Sequence, residues 1–138
     1  MPNTTESAFT SEPGSAERHI AIVRRLVEEV MHEGRLEVID ELYAPELAPM
    51  AREWIAPFLA SFPDTRMKIV DIVATDDRVV ARFKCSGTHL GDWLGHPPTG
   101  RRFGAIDEVY FFRFRDGRII HAWGIEDTLR RLEQLGLR

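Results

Sequence analysis

The hydrophobic period of this chain changes once, near Asp64, and that change governs what it can fold into. Before it, apolar residues recur at helical spacing; after it, they alternate. Ile20, Val23, Val27, Val30 and Met31 form a stripe with Leu26 beside it. Ser15 is placed to cap that helix and Gly34 to stop it. Leu36, Ile39, Leu42 and Tyr43 mark a short second helix that Pro45 ends. A third is expected over 49–62, kinked or shortened by Pro57. Strands are then expected over 67–74, 78–88, 103–115 and 118–125, the last two joined by Asp116-Gly117, a strong hairpin signal. A final helix spans 127–135 and stops at Gly136.

Helices followed by an antiparallel meander define an α+β chain with helices covering one face of a sheet. Its 138 residues suit a single domain, expected over 16–138 behind a polar, mobile tail at 1–15. A net charge of −4 argues against a general nucleic-acid or anionic-membrane surface. No apolar run approaches the ~20 residues of a membrane span, and the first residues lack a signal-peptide core. Cys85 is the lone cysteine and cannot close an internal disulfide, which fits a reducing cytoplasm. A reactive thiol is conceivable there, but the run VVARFKC reads better as a small buried hydrophobe.

Between the second and third strands lies GTHLGDWLGHPPTGRRF, residues 87–103. A hairpin needs only two to five loop residues, so this segment is too long for a plain connection. Leu90, Trp93, Leu94 and Phe103 seek burial, which points to a lid over a cavity or to a partner interface.

Three stretches carry a resemblance: VEEVMHEGRLEVIDELYAPEL, RVVARFKCSGTHLGDWLGHPPTGRRF and FFRFRDGRIIHAWGIEDTLRRLEQLG. The chain resembles the SnoaL-like polyketide cyclases, a branch of the nuclear-transport-factor-like α+β cone fold. That resemblance implies a curved antiparallel sheet wrapped by N-terminal helices into a cone with an internal pocket. It places the glycine-rich loop at the pocket rim, with Pro97, Pro98 and Gly100 setting its path, Trp93 as apolar cover, and His89 and His96 looking inward. It also implies an intramolecular aldol closure without metal or cofactor, run by a histidine and an aspartate around an enolate. Here those two positions hold Tyr110 and Gly124, and glycine cannot transfer a proton.

Other groups could take over. Strand parity sets Glu108, Tyr110 and Phe112 on one face, which the alignment makes the cavity face. An inward glutamate has its pKa raised by desolvation and becomes a usable base. A slip of one residue would turn Asp107 inward instead. Tyr110 can donate to an oxyanion or merely fill the core. Asp127, with Glu126 beside it, is the carboxylate nearest the lost aspartate, although it also suits the N-cap of the last helix. His89 is the imidazole candidate, with loop-fixing hydrogen bonds as the alternative. His19 and His32 are expected at the surface, and His121 in packing or an interface. No histidine spacing suits a metal, and no dinucleotide fingerprint or nucleophile elbow is present.

Met50, Trp54, Ile55, Phe58 and Leu59 make an apolar wall, so the expected ligand is bulky and hydrophobic, contacted by Trp54, Phe58, Trp93, His96 and Phe112. The expected activity is that of a cofactor-independent cyclase or isomerase acting on a hydrophobic carbonyl or epoxide compound, with Glu108, Tyr110, His89 and Asp127 as acid–base candidates. The alternative is a binding domain that kept the cone and lost the chemistry. Val109, Phe111, Ile119 and Trp123, with Arg113 and His121 among them, are expected on the opposite sheet face and to make a homodimer.

Overall fold

The structure, a computed structural model, describes residues 15–138; the expected tail lies outside the described residues except for Ser15. Helix α1, Ser15–Arg25, runs directly into a π-helical segment, Leu26–His32. Ser15 lies within that helix and is buried. In π winding residues five apart stack, so Leu26 and Met31 share a side that a regular α-helix would divide between two. Arg25 pairs with Glu29 at 2.8 Å on the outer face.

A 3-10 turn, Leu36–Val38, leads into α2, Ile39–Leu42. Helix α3, Ala48–Ser61, passes through Pro57 without ending. Pro57 is exposed, so its ring meets solvent, and Ser61 Oγ donates to the Pro57 carbonyl at 3.0 Å.

Strands β1 Arg66–Ala74, β2 Arg78–Thr88, β3 Arg102–Arg115 and β4 Arg118–Glu126 pair antiparallel in chain order as one curved sheet. The β3–β4 turn uses Asp116 and Gly117, both at positive φ (51° and 75°), as a type I′ hairpin demands. Helix α4, Thr128–Gln134, closes the chain; Asp127 caps it by accepting from the Arg130 amide at 3.1 Å.

The inward faces of β2 and β3 bury Val79, Ala81, Phe83, Cys85, Ile106, Phe112 and Phe114 against Val23, Val30, Ile39 and Leu42 from the helices. Each such side chain contributes about 1.5–3 kcal/mol when taken fully from water. One expectation fails here. Ile119 is fully buried, not on the outer face, because a bulge between Arg113 and Phe114 shifts the β3–β4 register and turns it inward. Tyr43 bridges to it in parallel fashion, tying α2 to the sheet.

The loop after β2 does not lie over the pocket as a lid. It is stapled to the end of α3: the amides of Leu90 and Gly91 both donate to the Ser61 carbonyl, and the Ser61 hydroxyl, whose single hydrogen the Pro57 and Asp92 carbonyls share, lies against the Asp92 carbonyl. Gly91 is required there, since a Cβ would come within 2.3 Å of the Ala60 carbonyl oxygen. His89 is fully buried, its Nδ1 held by the Thr99 hydroxyl at 3.0 Å.

Candidate active site

Between the helices and the sheet lies a cavity of about 410 Å³. Leu26, Val27 and Met31 line it from the π segment, and Trp54, Ile55 and Phe58 from α3. Glu108, Tyr110 and Phe112 reach it from β3, and Ala122, Gly124 and Glu126 from β4, all by strand parity. Tyr43, Met67 and Phe83 complete the apolar wall, and Trp123 borders it while its ring packs edge-on against Phe111 on the outer face. The only charged groups among the described lining residues are Glu108 and Glu126.

Those two carboxylates meet at one end, around Arg131. The Arg131 guanidinium donates to Glu108 Oε2 and to Glu126 Oε1. The Tyr110 hydroxyl lies 3.1 Å from Glu126 Oε2 and 3.3 Å from Glu108 Oε1. Glu108 and Arg131 are 3% and 0% exposed, whereas the Glu126 side chain is 31% exposed. Phe103, Phe58 and Trp93 surround the guanidinium, with ring centroids at 4.6, 5.2 and 5.9 Å.

Burial, then the charge of Glu126, raises the Glu108 pKa above the usual carboxylate range, and Arg131 only partly opposes this. Burial beside both glutamates likewise pushes the Tyr110 phenol up, so it stays protonated as a donor. Burial disfavours the charged guanidinium, yet the two glutamates win and hold Arg131 more firmly protonated than usual. Cys85 is free, fully buried and raised mainly by desolvation; that environment disfavours a thiolate nucleophile.

The sequence candidates divide. Glu108, Tyr110, Trp54, Phe58 and Phe112 line the cavity together. Asp107 turns away and pairs with Arg82 and Lys84, which lower its pKa. His89, Trp93 and His96 are absent from the lining; Trp93 instead packs on Phe62 and behind Arg131. Asp127 serves as the α4 cap. His19, expected at the surface, is buried and stacked on Phe114 at 4.1 Å, and His32 Nε2 accepts the Met67 amide at 2.9 Å.

Sequence reasoning missed Arg131 and gave Glu126 only as a neighbour of Asp127. Both left a signal. Glu126 shares parity with Ala122 and Gly124, and Arg131 occupies the i+3 position between Thr128 and Leu135, on the buried side of α4.

A curved sheet wrapped by helices around an apolar cavity with an acid cluster at one end defines a small-molecule pocket of the cone type. Residues 50–135 match the model of the SnoaL-like polyketide cyclase family, and the chain belongs to that family. It is 32% identical over 133 residues to aklanonic acid methyl ester cyclase AcmA of Streptomyces galilaeus, across 85% of this chain and 90% of that protein. Among solved structures, IdmH from Streptomyces antibioticus superposes with a TM-score of 0.74 at 31% identity, covering 86% of this chain and 98% of its own. A SnoaL-like protein from Jannaschia sp. CCS1 shares the fold with a TM-score of 0.83 at 20% identity, over 94% and 99% of the two chains.

Proposed function

We propose that this protein is a cyclase that closes a ring in a bulky, hydrophobic polyketide carbonyl compound by general acid–base catalysis in its apolar cavity. The relatives' names give a methyl ester as substrate and the family model a polyketide, which together point to polyketide esters as the substrate class. The observation that carries the reading is Glu108, a 3%-exposed carboxylate in the wall of a largely apolar cavity, with its pKa raised by burial.

In this scheme the Glu108 carboxylate takes a proton from the carbon beside a carbonyl, and the C–H electron pair moves into an enolate. The acid groups around Tyr110 stabilise the oxyanion. The enolate carbon then attacks a second carbonyl, a C–C bond forms, and the resulting alkoxide takes a proton back from the Glu108–Glu126 cluster, so that the cluster ends with the protons it began with. The same acid and base could open an epoxide, by protonating its oxygen while the base activates a nucleophile. No step uses His89, which is buried behind the cavity wall.

Turnover of a polyketide ester by wild type and by Glu108→Gln tests the assignment. Loss of the base is expected to reduce kcat about 100-fold or more, within the usual contribution of acid–base catalysis. Equal rates in both proteins would remove Glu108 from the mechanism. A second reading, a binding domain without chemistry, draws on Arg131, since an ion pair alone gives the buried carboxylate a structural role. Tight binding with no turnover of any such ester would favour it.

A further inference from the structure

The polar end of the cavity closes on itself. Each glutamate offers one oxygen to Arg131 and the other to Tyr110: Glu108 through Oε2 and Oε1, Glu126 through Oε1 and Oε2. A phenolic hydroxyl carries one hydrogen, and arginine only donates. If both carboxylates were ionised, Tyr110 could donate to just one, and its lone pairs would face the other's oxygen at hydrogen-bond distance. A single proton on the pair resolves every contact. The protonated carboxyl donates to the Tyr110 oxygen, Tyr110 donates to the ionised carboxylate, and Arg131 donates to the outer oxygen of each.

The charge count agrees. One guanidinium against two carboxylates leaves a net negative charge against an apolar wall, and one proton removes it. The other groups packed around the cluster bring no further charge. Cys85 on β2 has its thiol held protonated, and the π segment and α3 contribute Leu26, Met31, Ile55 and Phe58.

We propose that Glu108 and Glu126 are one coupled acid–base pair that holds a single shared proton, which Tyr110 relays between them; the reaction draws on the form in which Glu108 is the ionised base and Glu126, facing the substrate, carries the proton. The proton sharing stands on the ring geometry; the catalytic roles rest on the cyclase reading above. In the cycle Glu108 gains the carbon's proton and Glu126 gives its own to the alkoxide. The reset then breaks the Glu108 O–H bond as a bond forms to the Tyr110 oxygen, while the Tyr110 hydrogen passes to Glu126. Two hydrogens shift together for a net transfer of one proton from Glu108 to Glu126, and the pair regains its reactive form. Arg131 is a positioning residue: it fixes both carboxyls against Tyr110 without meeting the substrate.

The test needs no substrate. Infrared spectra of protein with carboxyl-labelled glutamate should show one isotope-shifted band of a protonated carboxyl at neutral pH. The band should vanish in Glu108→Gln and in Glu126→Gln alike, because either amide supplies the donor that the ring requires. Either variant suffices should the other fail to fold. Absence of the band from the wild type, or its survival in a folded variant, would overturn the shared proton. If the band behaves as expected yet no polyketide ester is turned over, the pair stands and the cyclase reading falls. If turnover survives Glu126→Gln unchanged, the acid role of Glu126 falls.

Discussion

Tyr110 and Gly124 face each other directly across the β3–β4 ladder, and their packing is coupled. A Cβ built at Gly124 would fall 2.1 Å from Tyr110 Cδ1, so the tyrosine ring occupies the space that an aspartate at this position would need. Gly124→Ala is therefore expected to cost about 1–3 kcal/mol through overpacking. In a Tyr110→Ala background the same change should cost little, and a double-mutant cycle by urea denaturation reads the coupling. Equal costs in both backgrounds would separate the two positions. Arg131→Met should cost about 3–5 kcal/mol, because Glu108 would keep a buried site without its cation. At this scale, parity alone made Glu108 legible as an inward carboxylate. It could not reveal Arg131, since an arginine on a short helix ordinarily reads as a solvated charge; only the two glutamates opposite it explain its burial.

Among the elements, α1 was readable from its stripe, but its π-helical continuation was not. The same apolar residues satisfy either winding, and in the wider one Leu26, Val27 and Met31 line the cavity together. His19 is buried and His32 half-buried against the sheet. Burial first, then the nearby Arg66 for His32, lowers the pKa of both below 6.5; for His19 burial outweighs the hydrogen bond that opposes it. A lowered histidine pKa means that the folded state resists the proton more than the unfolded chain does. Stability is thus fully present above about pH 6.5 and is lost as pH falls from there through the folded values. Urea midpoints should drop between pH 7 and 5, and His19→Phe, which keeps the stacking on Phe114, should lessen the drop. An unchanged slope in that variant would remove His19 from the account. At α4, Asp127→Ala should cost about 1 kcal/mol as a lost cap. The strand ends were legible within a residue, yet the bulge that buries Ile119 was not, because it conserves the alternating pattern on both of its sides.

For the whole molecule, the outer sheet face remains apolar: Phe111, Trp123 and Ile125 are each about half exposed or more, and Phe111 packs edge-on against Trp123. We propose a two-fold homodimer through this face, which an isologous contact between antiparallel sheets would cover. Phe111→Arg should then give a monomer or aggregate in sedimentation, whereas a monomeric wild type would contradict the proposal. Residues 16–138 are proposed to act as one domain around the cavity. The α+β order of helices and strands, and much of the apolar wall, were visible in the periodicity, but the charged end of the cavity exists only after β3, β4 and α4 converge. Its chemistry can be read apart from ring closure by solvent deuterium exchange. A polyketide ester that carries an acidic carbon beside its carbonyl, but lacks the second carbonyl, can only be deprotonated and reprotonated. Wild type should exchange that carbon's proton for deuterium at least about 100-fold faster than Glu108→Gln. Exchange no faster than in buffer, or equally fast in the variant, would contradict Glu108 as the base.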